Sequence, residues 1–312
     1  MKQAQTQNKE IKRREIDFVG KRKIFITISL VLIVISLISI FTKGFNFGVD
    51  FVKGTEIIIL VKDPKFTVDQ MREKLSAIDP EYSKARITKV TSAGGTGDYS
   101  KFQIVLKQFF EKAVDKEKFV NELKKVFGNL EVSAESFRAV SGVAATELKL
   151  ASWNAAILAI ILILLYITFR FQFSFAIGAV VALVHDALIT LGFYSMFSIE
   201  FNSAVVAALL TLLGYSLNDT IVVYDRIREN LKRFRGKPIE NVVNRSINEV
   251  ISRTINTSLT TFMVVFVLYL FAGVVLKPFA FGLTVGVIVG TYSSLYIASP
   301  IIIGWLGRGM RR

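Results

Sequence analysis

Residues 201–230 read FNSAVVAALLTLLGYSLNDTIVVYDRIREN. The first part, 201–223, is long and apolar enough to cross a bilayer, which takes ~20 residues. Yet Asn218 and Asp219 sit inside it. A charge in hydrocarbon costs about 2.5–3.5 kcal/mol on insertion scales, so a span keeps one where it faces protein or water and where it has work to do. Beyond Val223 the run turns charged, with Asp225, Arg226 and Arg228. A membrane helix with an acid in its interior and a basic exit points to an α-helical membrane protein.

The rest of the chain agrees. It has 312 residues, 52% of them hydrophobic, with a mean hydropathy of +0.48. The charges crowd into a few segments and leave near charge-free runs between them, which argues against a soluble enzyme, collagen or a disordered chain. Six runs read as spans, at about 24–42, 151–169, 172–194, 201–223, 252–272 and 278–304. The first follows Lys21, Arg22 and Lys23 and lacks an A-x-A site, so it is expected to be a retained anchor rather than a signal peptide. The last is long for one span and predicts tilt or an interfacial turn. With no Cys and a single His, disulfides, Cys-ligated metals and multi-His sites are excluded, and neither a metal nor a cofactor is expected.

Net charge is +14, from 39 Lys and Arg against 25 Asp and Glu. A nucleic-acid partner is not expected, because the excess flanks the spans. Residues 1–23 hold eight basic and three acidic side chains, 224–253 hold eight and four, and the last eight residues hold three and none, while 43–149 are nearly balanced at eighteen and fifteen. Short loops rich in Lys and Arg stay in the cytoplasm. The tail 1–23, Arg170, the loop 224–251 and the tail 305–312 therefore predict two cytoplasmic termini in a multi-pass membrane protein. Residues 43–149 then lie on the far side.

That segment reads as one small α+β domain. Thr55–Val61 is β-rich, Thr67–Ile78 has helical spacing, and Ala85–Thr91 and Tyr99–Leu106 alternate around a glycine turn at 94–98. Asp115–Phe127 is amphipathic and Leu130–Val140 returns to strand. The order β-α-β-β-α-β is the split βαβ, ferredoxin-like pattern. With no nucleophile–base pair and no phosphate loop, an interaction or scaffold domain is expected, whose edge strands could accept an extended chain.

Within the membrane, Arg253, Asn256, Thr257 and Thr260 stand at i, i+3, i+4 and i+7, one stripe of span five that must face protein or water. Tyr215, Ser216 and Asp219 share a stripe of span four, with Asn218 beside it. Asp219 lies six residues before Asp225, ~9 Å into the membrane, and Arg253 four residues after Glu249, ~6 Å in. The matched depths suggest that the two meet. Such a pair is either a static tie between the spans or a titratable switch, since desolvation and a nearby guanidinium pull a carboxyl's proton affinity in opposite directions. His185-Asp186 in span three is either a satisfied core pair or a proton relay. Gly282, Gly286 and Gly290 predict close helix packing within the chain.

Residues 214–230, GYSLNDTIVVYDRIREN, resemble the signature of the SecF-type subunits of the SecD/SecF family of protein-export membrane proteins. RTINTSLTT at 253–261, the His185-Asp186 pair, and Gly48-Val49-Asp50-Phe51 followed by Gly54-Thr55 are similar to the same family, although Lys53 replaces the first glycine of its G-G-T motif. The resemblance spans about residues 15–305. It implies an RND-type half of six helices and a SecD partner supplying six more. It also implies association with the SecYEG translocon, with YajC and YidC as neighbours, and use of the proton-motive force to draw an unfolded preprotein outward. Asp219 and Arg253 match the family's proton-path residues. A passive scaffold for the channel, or half of a proton-coupled exporter of small molecules or lipids, are the competing readings; an enzyme of conventional type is not expected.

Overall fold

The structure, a computed structural model, describes residues 15–90 and 98–309. The tail before residue 15, the glycines of the turn expected at 94–97, and Arg311 and Arg312 lie outside the described residues. Six long apolar helical stretches form a bundle: α1 (Arg22–Lys43), α4 (Gly142–Arg170), α5 (Phe173–Met196), α6 (Ser203–Arg233), α7 (Ile239–Phe271) and the stretch Lys277–Leu306. Each is long enough to cross a bilayer, and the chain is a multi-pass membrane protein. The last stretch makes no interfacial turn. It runs on from α8 (Lys277–Ser293) through a π-helical turn at Ser294–Ala298 into α9 (Ser299–Gly309), so extra length is absorbed by widening the helix locally.

Small residues set the spacing of the helices. Ser36 of α1 lies so close to Gly192 of α5 that a Cβ there would stand 2.7 Å from the Ser36 Cα. On α8, a Cβ at Gly282 would meet the Tyr194 hydroxyl, one at Gly286 would meet Leu212, and one at Gly290 would meet Ser216. The glycine stripe thus packs α8 onto α5 and α6 of its own chain, as the sequence predicts. Gly192→Val is expected to cost about 1–3 kcal/mol by overpacking, read as a lower melting temperature in detergent. Gly214→Ala, whose Cβ would meet nothing, should leave that temperature unchanged.

The charged segment at 224–251 is mostly helix rather than loop. α6 runs on to Arg233 and α7 starts at Ile239. Ion pairs at helical spacing stabilise these extensions in water: Arg226 with Glu229 at 2.6 Å, Arg245 with Glu249 at 2.9 Å, and Arg226 across to Glu249 at 2.6 Å. Asn244 and Asn248 of α7 bond the backbone of Ile16 and Phe18, tying down the segment before α1.

Between α1 and α4 the chain forms β2 (Gly54–Val61), α2 (Val68–Ile78), β3 (Arg86–Val90), β4 (Ser100–Leu106), α3 (Ala113–Phe127) and β5 (Val132–Val140). Thr67 and Gln70 close a capping box at the start of α2. The sheet order is β3-β4-β2-β5, with every neighbouring pair antiparallel. Because strand side chains alternate, Ile57, Ile59, Phe102 and Ile104 share one face and pack under Met71, Leu75, Phe119 and Leu123 of the two helices. The other face carries Glu56, Arg86, Gln103 and Arg138. It is turned to the bundle, where β1 (Asn46–Phe47), just after α1, pairs in parallel with β6 (Glu200–Phe201), just before α6.

Candidate functional site

At the centre of the bundle Asp186 is fully buried and both of its carboxyl oxygens have polar partners. Oδ1 lies 2.9 Å from Nδ1 of His185, and Oδ2 accepts from Ser216 of α6 at 2.5 Å and Ser293 of α8 at 2.8 Å. Gly290 makes this convergence possible, since its missing side chain admits Ser216. His185 stacks on Tyr292, whose hydroxyl bonds Ser29 of α1 at 2.8 Å. Its Nε2 is buried without a hydrogen-bond partner among the described residues. Three helices thus meet on one carboxylate, and Tyr292 links the cluster to a fourth, α1. Ser293 was not among the sequence candidates, because nothing near it in the chain marks a residue that meets Asp186 across 107 positions.

Asp219 lies one turn beyond Ser216 on α6 and is 2% exposed. Its Oδ2 accepts from Ser258 of α7 at 3.0 Å. No ion pair within 4.0 Å joins it to Arg253, so the expected contact pair is not formed, although the Arg253 charge still acts on it from farther away. The reason is the rotation of α7. Thr254 and Ser258 are the buried polar residues turned to α6, whereas Arg253, Asn256, Thr257 and Thr260 are exposed. Thr257 and Thr260 bond only carbonyls of their own helix. Asn218 is exposed as well. The predicted polar stripe is exposed among the described residues.

A second polar constellation links the sheet to the bundle. Asp50 is 5% exposed. One carboxylate oxygen pairs with Arg138 of β5; the other accepts from the backbone N–H of Ser203 at 2.8 Å and its hydroxyl at 2.6 Å. Ser203 is the first residue of α6, so Asp50 is an anion on that helix's N-terminus, where the helix dipole favours it. Burial pushes the Asp50 carboxyl up, but the Ser203 hydrogen bonds and the Arg138 charge outweigh it and hold it below the usual carboxylate value. Gly48 brings β1 against β6, since a Cβ there would stand 2.5 Å from a Glu200 oxygen. Gly54, at φ +153°, would drive a Cβ to 2.3 Å from the Leu106 carbonyl. Thr55 bonds the backbone of Gln108 and Phe110, and Phe51 packs with Phe47 and Phe201. The motif after the first span is therefore a structural latch between the sheet and the start of α6.

Beside the latch, the Gln103 amide bridges Glu56 at 2.8 Å and Glu200 at 2.6 Å, while Arg86 bonds Asn46 and, at 2.7 Å, the Phe47 carbonyl. Burial, then the charge of Glu56, pushes the Glu200 carboxyl above the ordinary Glu range. An acid with a raised folded-state value is uncharged in the fold where the unfolded chain has already ionised. The Glu200 contribution to junction stability is therefore greatest below ~4.3 and is lost as pH rises through the raised value. Glu200→Gln should abolish that fall, so that melts across the range separate the variant from the native chain near neutrality and superpose them in acid.

Sequence comparisons place these features in a family. A family model described as "Protein export membrane protein SecD/SecF, C-terminal" matches residues 118–308, and one described as the "SecD/SecF GG Motif" matches 38–65. The chain is 54% identical to the protein translocase subunit SecF of Petrotoga mobilis, over 94% of this chain and 97% of that one. It is 44% identical to the SecF of Calditerrivibrio nitroreducens, over 92% and 93%. The SecDF of Thermus thermophilus is 36% identical over 94% of this chain, which spans 39% of that longer protein. A crystal structure of SecDF from Thermus, described as a translocon-associated membrane protein, superposes with a TM-score of 0.83 at 34% identity, over 94% of this chain and 39% of that one. The super-membrane-facing form of SecDF superposes at 0.68, also at 34% identity, over 96% and 40%. This chain is a member of the SecD/SecF family of protein-export membrane proteins.

Proposed function

We propose that this chain is one half of a proton-driven device that helps draw unfolded preproteins across the cell's inner membrane beside the SecYEG channel. In this reading a SecD protein supplies the other six spans, and YajC and YidC adjoin the assembly. The fusion of both halves in the Thermus SecDF supports that partner. So does the uncovered stripe of Arg253, Asn256, Thr257 and Thr260, because polar groups at membrane depth need protein or water against them. The basic helix ends at Arg170 and Arg226–Arg233 face the cytoplasm together with both termini. The sheet domain, residues 43–149, is an extracytoplasmic ferredoxin-like domain.

The observation that carries the mechanism is that α6 joins both constellations. Asp219 is buried within it, and Ser203 at its start holds Asp50 and, through it, Arg138 of the sheet. The 16 positions between them span ~24 Å of helix, a stiff element between acid and domain. Asp219 takes a proton from the outer side, and its attraction across the interface to Arg253 weakens. α6 and α7 then shift against the partner's spans, and the latch carries the shift to the domain holding the emerging chain. Release of the proton to the cytoplasm resets it. Asp186, which accepts from Ser216 one helical turn before Asp219, serves as a relay. The test is export by membrane vesicles with and without a proton gradient: Asp219→Asn should assemble and lose the gradient's stimulation, whereas a passive scaffold would keep it.

A further inference from the structure

A cavity of about 540 Å³ opens between α4, α5 and α6 at their domain end. Its volume lies within the ~300–1,000 Å³ of small-molecule sites. Along α4 the lining runs from Lys149 and Trp153 to Ile160, and along α5 from Leu191 to Val180. Both stretches cover 11 positions, ~16 Å of helix. That matches half of the ~30 Å hydrocarbon core. The cavity is therefore one leaflet deep. Leu209 and Leu213 of α6 close its back, and Phe47, Phe51 and Phe201, the aromatic residues of the latch, roof it. Lys149 is the one charged side chain lining it among the described residues, and it lies at the mouth next to Ser152 and Trp153. Trp and Lys at that level mark the headgroup region.

We propose that this cavity binds one acyl chain of an anionic phospholipid of the domain-side leaflet, with the phosphate on Lys149. The apolar depth selects a chain, the length selects a single leaflet, and the lone cation selects the headgroup charge. Through Phe47, Phe51 and Phe201 the bound chain braces the segment that carries Asp50, so lipid occupancy stiffens the tie between the domain and α6.

The chain has two tryptophans, Trp153 and Trp305, so Trp305→Phe leaves a reporter inside the cavity. The full-length variant is reconstituted in phosphatidylcholine vesicles, and phosphatidylglycerol brominated on its acyl chains is added in increasing proportion. Quenching of Trp153 should saturate, with a half-point about fivefold below that for brominated phosphatidylcholine, the preference one Lys confers near an anionic headgroup. Lys149→Gln should erase that preference and keep the quenching, and Ala156→Phe with Ala187→Phe should fill the cavity and remove saturation. Quenching that follows random mixing for both lipids, or a Trp153 that neither lipid reaches because protein covers it, would overturn the proposal. If the filled variant fails to insert, the Lys149→Gln comparison still decides.

Discussion

An Asp219→Asn chain is expected to insert and to assemble with its partner, while a proton gradient no longer speeds export in its presence. Asn keeps an acceptor for the Ser258 hydroxyl, so the 3.0 Å contact between α6 and α7 survives. What disappears is the one thing an amide cannot do here, gain and lose a proton. The loss should be near complete rather than graded. One charge moved through 100 mV supplies about 2.3 kcal/mol, of the same order as the ~1–3 kcal/mol typical of coupling between sites. With that step removed, no comparable energy reaches the domain. Export rates in vesicles with the gradient on and off measure the effect, and the native degree of stimulation in the variant would refute the role given to this acid.

Asp50→Ala should have the second largest effect, and on a different quantity. It strips Arg138 of its closer partner, leaving only Glu56 at 4.0 Å, and leaves the Ser203 N–H and hydroxyl at the start of α6 without their acceptor. Breaking a fully buried pair costs about 3–5 kcal/mol, and because Arg138 is partly exposed a loss of about 2–3 kcal/mol is expected. The damage should be local. Amide exchange should quicken at the start of α6 and along β5, while the α2–α3 face of the sheet stays protected. The linkage has a pH signature as well. A carboxyl held below its usual value gives stability that is present above about 3.9 and is lost as pH falls through the lower, folded-state value. The native chain should lose its advantage over Asp50→Ala in that acid range. Uniform exchange across the molecule would show that Asp50 holds up the fold at large rather than the tie to α6.

The parts of this architecture legible in the sequence are those set by local rules. Apolar runs of ~20 residues mark the spans, and period-2 and period-3.6 patterns give the order of elements between the first two. The segment after Val223 misled because its charges look like a loop. Only the i+3 and i+4 spacing of Arg226 with Glu229 and Arg245 with Glu249 betrays helix. Span five carries two polar stripes, and periodicity cannot say which one faces home. Thr254 and Ser258 do, and the stripe led by Arg253 stays exposed. The Asp186 site was half visible. His185 announced it, but Ser216 and Ser293 arrive through helix packing that the glycines of α8 permit. The latch was visible only as a motif, because the partners of Asp50, Ser203 and Arg138, lie 153 and 88 positions away.

The central claim is that the buried acid and the sheet domain move together through α6. Because the chain has no cysteine, Lys118→Cys on the exposed side of α3 and Val275→Cys at the domain end of the bundle give two clean spin-label sites. The distance distribution between them, measured in vesicles with and without a proton gradient, is the direct test. It should shift with the gradient in the native background, stay fixed in Asp219→Asn, and lose its dependence on the gradient in Asp50→Ala; an identical shift in all three would contradict the account.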